Sequence, residues 1–259
     1  MSKVFSFHEG TSPLLVSVPH DGWQIPTDIV QYMSGAGRAI PDTDWHVAEL
    51  YEFVKESGAS MLSADFSRYV VDLNRPADDA NLYDGQVATG LCPLQTFGGA
   101  DIYLDPIDID KEARVATYWR PYHEQLQQTL QALREQHGYA LLWDAHSIPS
   151  SVPLLFDGEL PVLNIGTFDG RSCAAPLAEA VLAVAEASPY ETVINARFKG
   201  GHITRHYGDP ENGIHALQLE LAQRAYMHER TLQYDRELAA ELRATLKVML
   251  DAYQEAASR

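Results

Sequence analysis

A chain of 259 residues can bury a substantial core in one large domain, and 46% hydrophobic with 21% charged residues excludes both disorder and coiled coil. Against 36 acidic residues stand 19 basic ones, a formal net charge of −17 that repels nucleic acid and anionic membranes, so neither is expected as a partner. Any small anionic substrate must be drawn in by a local cluster of arginine, lysine or metal. Cys92 and Cys173 are too few for a disulfide framework or a cysteine-rich zinc site. No run approaches the roughly 18 apolar residues of a membrane span, and the first residues lack the build of a signal peptide, so a cytoplasmic location is expected.

The first element is Pro13-Leu-Leu-Val-Ser-Val-Pro-His20, an apolar strand ending in the polar corner His20-Asp21-Gly22, where glycine permits a sharp turn. Val47, Leu50, Tyr51 and Val54 then recur at helical spacing over 45–54. Asp42, Thr43 and Asp44 stand where N-caps stand; Asp42 is read as a cap, and Asp44 is also a candidate oxygen ligand. Residues 59–65 and 68–73 read as successive strands, the second closing on Asp72-Leu-Asn-Arg-Pro76. That places Arg75 on a loop, where a guanidinium can fork onto a carboxylate.

Residues 77–105, rich in Gly, Asp, Asn and Pro, read as a long loop. Over 109–137, Val115, Trp119, Tyr122, Leu126, Leu130 and Leu133 keep helical spacing, and Pro121 kinks this helix or starts its main segment. His123 lies nearby as a core or rim residue. Residues 139–143 then read as a buried parallel strand that breaks into Asp144, His146 and Ser147. Open α/β sheets bind ligands at such strand ends, although the same triplet could cap a helix.

Residues 161–170 read as a further strand followed by a loop, an Ala-rich helix at 174–187 and a strand at 191–196 come next, and 197–210 is a loop carrying the cations Arg197, Lys199 and Arg205. In His215-Ala-Leu-Gln-Leu-Glu-Leu221 the leucines face one way and Gln218 and Glu220 the other. A glutamate there is either paired with a buried cation or acts as a general base, and the base is the reading adopted. From 229 onward Leu238, Leu242, Met249 and Tyr253 mark an amphipathic helix. The whole reads as a single α/β domain over 1–259, a mixed, mostly parallel sheet flanked by helices.

Two histidines at strand ends, several carboxylates, an Asn-Arg pair and a lone glutamate suit metal-dependent hydrolysis. A catalytic zinc takes three His or carboxylate ligands and leaves one position for water, a nearby glutamate moves the proton, and arginine holds an anionic end of the substrate.

Five segments carry a resemblance: Ser17-Val-Pro-His-Asp-Gly22, Asp44-Trp-His-Val-Ala-Glu-Leu-Tyr51, Ser67-Arg-Tyr-Val-Val-Asp-Leu-Asn-Arg-Pro76, Trp143-Asp-Ala-His-Ser147 and Gly200-Gly-His-Ile-Thr-Arg-His-Tyr-Gly208. In this order they resemble the N-formylglutamate amidohydrolase (deformylase) family. Its members are similar in fold to zinc carboxypeptidases, a phosphorylase/hydrolase-like architecture. They hydrolyse N-formyl-L-glutamate to formate and L-glutamate, the last step of one histidine degradation route.

The resemblance implies one divalent metal, zinc, with His20 and His146 as ligands, Asn74 and Arg75 on the substrate α-carboxylate, and Glu220 as general base. Carboxypeptidases place a glutamate three residues after the first histidine, but Trp23 stands there. The carboxylate ligand must come from elsewhere, and Asp44 is taken because it begins a family motif, with Asp21 as runner-up. A dianionic substrate calls for Arg75 at one end and Arg205, helped by Thr204, at the other; His202, His206 and Tyr207 position the formyl group or brace the loop. The rival readings are a zinc amidohydrolase for another N-acyl amino acid and a non-catalytic anion-binding protein without metal. A serine hydrolase built on Ser147 and His146 is disfavoured, because adjacent strand residues point to opposite faces.

Overall fold

Seven strands form one sheet in the computed structural model, which describes residues 3–81, 89–106 and 108–259. They are β1 (Phe5–His8), β2 (Leu14–Val18), β3 (Ser60–Ala64), β4 (Ala140–Ile148), β5 (Leu163–Gly166), β6 (Thr192–Ile194) and β7 (Ile214–Ala222), in the spatial order β1-β3-β2-β4-β7-β5-β6. The central run β3-β2-β4-β7 is parallel, β5 joins β7 antiparallel, β6 pairs parallel with β5, and β1 pairs antiparallel with β3. This is a single α/β domain with a mixed, mostly parallel sheet.

Side-chain alternation gives the sheet two different faces. Leu14, Val16, Leu141, Trp143, Ala145, Leu217, Leu219 and Leu221 point to one side and form a core that is apolar throughout. Three short helices precede β3 in the chain: α1 (Thr27–Val30), α2 (Gly35–Arg38) and α3 (Val47–Leu50). Of these, α3 contributes Val47 and Leu50 to the apolar core.

The opposite face is apolar only at the start of the strands, where Leu15, Leu142 and Ala216 lie in one core cluster with Leu126, Leu130 and Leu133. The last three belong to a long helix that is preceded by α4 (Lys111–Arg114) and a π-helical turn, Val115–Trp119; the long helix, α5, is Arg120–His137. Pro121 comes directly after the π-helical turn, inside a helical run that continues without a break over 111–137, so it marks the widened turn rather than a free helix start. Beyond Leu15, Leu142 and Ala216 the same face turns polar, with Ser17, Asp144, His146, Gln218 and Glu220, all buried. Completing the chain, α6 (Ala175–Ala187) and α8 (Arg236–Ala257) pack together on the first face, α7 (His202–Tyr207) lies near β7, and β8 (Met227–His228) pairs with β9 (Gln233–Tyr234).

Several sequence expectations are corrected. Strand β4 does not end at Trp143 but runs on through Asp144, His146 and Ser147, so the polar triplet lies within the sheet. Residues 68–73 are not a strand: Val70 N–H bonds the Ser67 carbonyl at 2.8 Å and Arg68 pairs with Asp72 at 2.7 Å, which closes a turn. The helix at 45–54 is broken into α3 and a 3₁₀ turn, Glu52–Lys55, and His46 enters α3 at φ 65°. Asp42 caps no helix but accepts from the Tyr69 hydroxyl and from the Phe97 amide at 2.8 Å. The stretch 197–210 contains α7 rather than loop alone, and the C-terminal helix starts only at Arg236, capped by Asp235. The described parts of 77–105 form no helix or strand, and 82–88 lies outside the described residues.

Gly22 is needed for space rather than for a special φ. A Cβ there would run into the backbone of Phe66, with which Gln24 forms a parallel bridge. Overpacking of this kind costs about 1–3 kcal/mol. Gly22→Ala is accordingly expected to lower unfolding free energy in urea by that amount; a change below about 0.5 kcal/mol would show that the corner adapts freely.

Candidate functional site

The carboxyl ends of β2 and β4 are neighbours, and each delivers one imidazole. His20 follows β2, and His146 projects from the polar face of β4; their rings lie 4.9 Å apart between centroids. Asp44 reaches both from the segment before α3, and its own backbone N–H bonds the His20 carbonyl at 3.1 Å. Its Oδ2 lies 3.0 Å from His146 Nδ1 and 3.7 Å from His20 Nδ1. One nitrogen from each imidazole and one carboxylate oxygen, all buried, lie within 4.8 Å of one another.

The far nitrogen of each ring is held as well. His20 Nε2 meets Asp72 Oδ1 at 2.8 Å, and His146 Nε2 meets Asn74 Nδ2 at 2.9 Å and Asp144 Oδ2 at 3.3 Å. Such partners fix ring orientation and leave Nδ1 aimed at the shared point. Asp21, the runner-up ligand, faces away, towards the backbone of Ala48 and Val47, and burial pushes it up to about 6.

Glu220 completes the site through strand register. β7 pairs in parallel with β4 so that Glu220 stands beside His146 and Gln218 beside Asp144, on the same face. Burial pushes Glu220 up to about 8, against the opposing charge of His146. Burial also raises Asp44, but hydrogen bonds and charge from His146 and His20 outweigh it and hold the carboxyl below its ordinary range. Burial disfavours charge on His146, yet Asp144 and Asp44 together raise it well above the ordinary histidine value. These groups open on a cavity of about 80 Å³, into which Arg68, Arg75 and Arg197 also face.

The N-formylglutamate amidohydrolase family model matches residues 12–227 of the chain. The chain belongs to that family. N-formylglutamate deformylase of Pseudomonas putida is 50% identical over 257 residues, covering 97% of this chain and 96% of its own. The enzyme of that name from Pseudomonas aeruginosa is 49% identical over 259 residues, again with 97% and 96% covered. In fold, the chain is like the crystal structure of an N-formylglutamate amidohydrolase from Ralstonia eutropha, with TM-score 0.82, 24% identity and coverage of 98% and 97%. A gene product of Agrobacterium tumefaciens shares the fold at TM-score 0.76 and 18% identity, with coverage of 98% and 96%.

Not every residue of the family motifs faces the cavity. Asn74 lines it, but its side chain is engaged: Nδ2 holds His146, and Oδ1 accepts the Ile203 amide at 2.8 Å. Gly201 permits that approach, since a Cβ there would overlap the Asn74 amide. Arg75 faces the cavity with Nε donating to the Thr89 carbonyl at 2.7 Å. Thr204 is buried and donates to Asp144 at 3.2 Å, and Arg205 donates to the Gly200 carbonyl and lies over the Phe168 ring; neither lines the cavity.

His202 lies against Trp119, His123 and His206, also away from the cavity, and burial lowers it to about 4. Tyr207 is bound to His123 Nδ1 at 2.9 Å. In place of Thr204, Arg205, His202 and Tyr207 the cavity receives Arg68, Arg197 and Gln218, and Asp72 stands behind His20. Sequence reasoning grouped Arg197 with other loop cations and passed over Arg68 and Asp72. The available signal was a pair of charges bracketing the apolar run Tyr69-Val-Val71.

His123 shows how this support is built. Its Nε2 faces the Leu73 carbonyl at 2.9 Å, so Nδ1 accepts from Tyr207, the neutral form; burial lowers the group to about 3. The unfolded chain takes up this proton below about pH 6.5 while the folded one does not. The stabilising contribution is thus fully present above that pH and is lost as pH falls towards 3. His123→Gln should flatten the pH dependence of urea unfolding by up to about 1.4 kcal/mol per pH unit between 6.5 and 4, and parallel curves would contradict this.

Proposed function

We propose that the chain hydrolyses N-formyl-L-glutamate to formate and L-glutamate with one divalent cation, zinc, held by His20, Asp44 and His146. The observation that carries this is the convergence of those three donors beside Glu220, in a chain whose relatives are N-formylglutamate deformylases. The donor set fits such an ion: two imidazole nitrogens and a carboxylate oxygen, each imidazole braced from behind. When bound, the cation supplies a Lewis acid and brings the pKa of a water close to neutral.

Glu220 then carries the proton. As base it takes a proton from the water attacking the formyl carbon; as acid it returns the proton to the amine nitrogen while the C–N bond breaks. Its raised pKa suits both directions near neutral pH. Asn74 keeps the His146 ring in place, and Arg75, beside it in sequence, presents a fork to the α-carboxylate. Arg68, bonded to Asp72 at 2.7 Å and 3.7 Å from Asp44, offsets the negative charge around His20. Ser147 is not a nucleophile in this scheme; its hydroxyl lies 2.7 Å from the Tyr226 hydroxyl, and its backbone N–H bonds Asp44. By its family resemblance the reaction would close a histidine degradation route. No helix among the described residues is long and apolar enough to cross a membrane.

Glu220→Gln is expected to lower kcat by about 10²- to 10⁴-fold while bound metal, measured by elemental analysis, is retained. Full activity in that variant would remove Glu220 from the proton path. Chelation should abolish turnover and added zinc restore it, whereas His146→Ala should bind no stoichiometric metal; turnover that survives chelation rejects the metal. Among N-formyl-, N-acetyl- and N-succinyl-L-glutamate, the formyl compound should show the highest kcat/KM, and preference for a larger acyl group would reassign the substrate.

A further inference from the structure

We propose that Arg197 binds the side-chain carboxylate of the substrate and so selects an acidic amino acid over its neutral analogues. The inference rests on the hydrolysis of N-formylglutamate proposed above. A dianion entering this site meets Asp44 and Glu220 in a chain of net charge −17, so each of its carboxylates needs a cation in place. Arg68, Arg75 and Arg197 line the cavity among the described residues. Arg68 is committed to Asp72 at 2.7 Å and Asp44 at 3.7 Å.

Arg75 and Arg197 reach the cavity from different segments of the chain. Arg75 follows Asn74, the residue that holds His146, and is the arginine that the family resemblance puts on the α-carboxylate, next to the amide nitrogen. Arg197 comes from the segment between β6 and α7, and its Nε donates to the Leu155 carbonyl at 2.7 Å, which sets the plane of its fork. Leu155 and Phe198 line the cavity beside it and offer an apolar wall to the two methylenes that separate the carboxylates of glutamate. The other cations of that segment point elsewhere: Lys199 pairs with Asp169 at 3.1 Å, and Arg205 lies over Phe168.

The test compares kcat/KM for N-formyl-L-glutamate and N-formyl-L-glutamine, which differ in charge but hardly in size, in the wild type, Arg197→Met and Arg197→Lys. The preference for glutamate should fall by on the order of 10²-fold in Arg197→Met and be partly restored in Arg197→Lys, which keeps the charge without the fork. A preference unchanged within about threefold, or equal losses on both substrates, overturns the assignment, the second outcome placing Arg197 on the α-carboxylate or in folding. Thermal unfolding and metal content of each variant identify a folding defect, and Arg197→Lys still reports should Arg197→Met not fold. A wild type inactive on N-formylglutamate overturns the proposed reaction instead. The preference is then read by calorimetry, as the ratio of Kd for L-glutamate and L-glutamine, and the same loss in Arg197→Met is required.

Discussion

The register between β4 and β7 is the constraint on which the rest of the molecule depends. In parallel pairing, His146 lies beside Glu220 and Asp144 beside Gln218, while Trp143, Ala145, Leu217 and Leu219 take the other side. A slip of one residue would turn every side chain over, placing indole and leucine in the cavity and imidazole in the core. The apolar face thus does more than hold the sheet together, because its burial makes one register far more favourable than its neighbours. The geometry between the His146 imidazole and the Glu220 carboxylate is inherited from that choice.

The cost of the arrangement lies in buried charge. Asp44, Asp72, Asp144, His20, His146, Arg68 and Glu220 are all nearly inaccessible to solvent. Charges so placed are tolerable only when paired and hydrogen-bonded. Pairing is what the structure provides: Arg68 between Asp72 and Asp44, His20 between the same two carboxylates, and His146 between Asp44 and Asp144. In the chain alone the two aspartates favour a proton on His146. A cation at the same point would release that proton and serve the same electrostatic purpose, which is how a preformed site couples metal binding to pH.

The Gly-Gly-His-Ile-Thr-Arg-His-Tyr-Gly motif shows that residues marking a family need not touch the cavity. Gly201 admits Asn74, Thr204 bonds Asp144, and Tyr207 bonds His123, which in turn reaches the Leu73 carbonyl. Together these contacts tie α7 to the strand and loop that carry His146 and Asn74. Thr204 and Tyr207 act on the site through the position of other residues, which is a stringent demand on sequence.

Local pattern was enough for much of the architecture. Apolar runs and alternation identified the strands around Val16, Leu62, Leu142, Ile165 and Leu219, helical spacing identified α5 and the body of α8, and alanine content identified α6, because these are properties of neighbouring residues. The same pattern, with the family motifs, singled out His20, Asp44, His146 and Glu220. What it could not decide was the direction of side chains in irregular backbone. Asp21 and Asp44 both lie close to His20, yet one turns to the backbone of α3 and the other to the imidazoles. Arg197 and Arg205 sit in one cationic segment, yet only Arg197 reaches the cavity among the described residues. Those outcomes turn on contacts between segments separated by dozens to hundreds of residues, such as Arg197 with Leu155 and Asp44 with His146. Period and composition therefore determined the elements and the kind of chemistry, whereas only the packed tertiary structure decided which polar side chains share a cavity, since that depends on long-range proximity that no local spacing encodes.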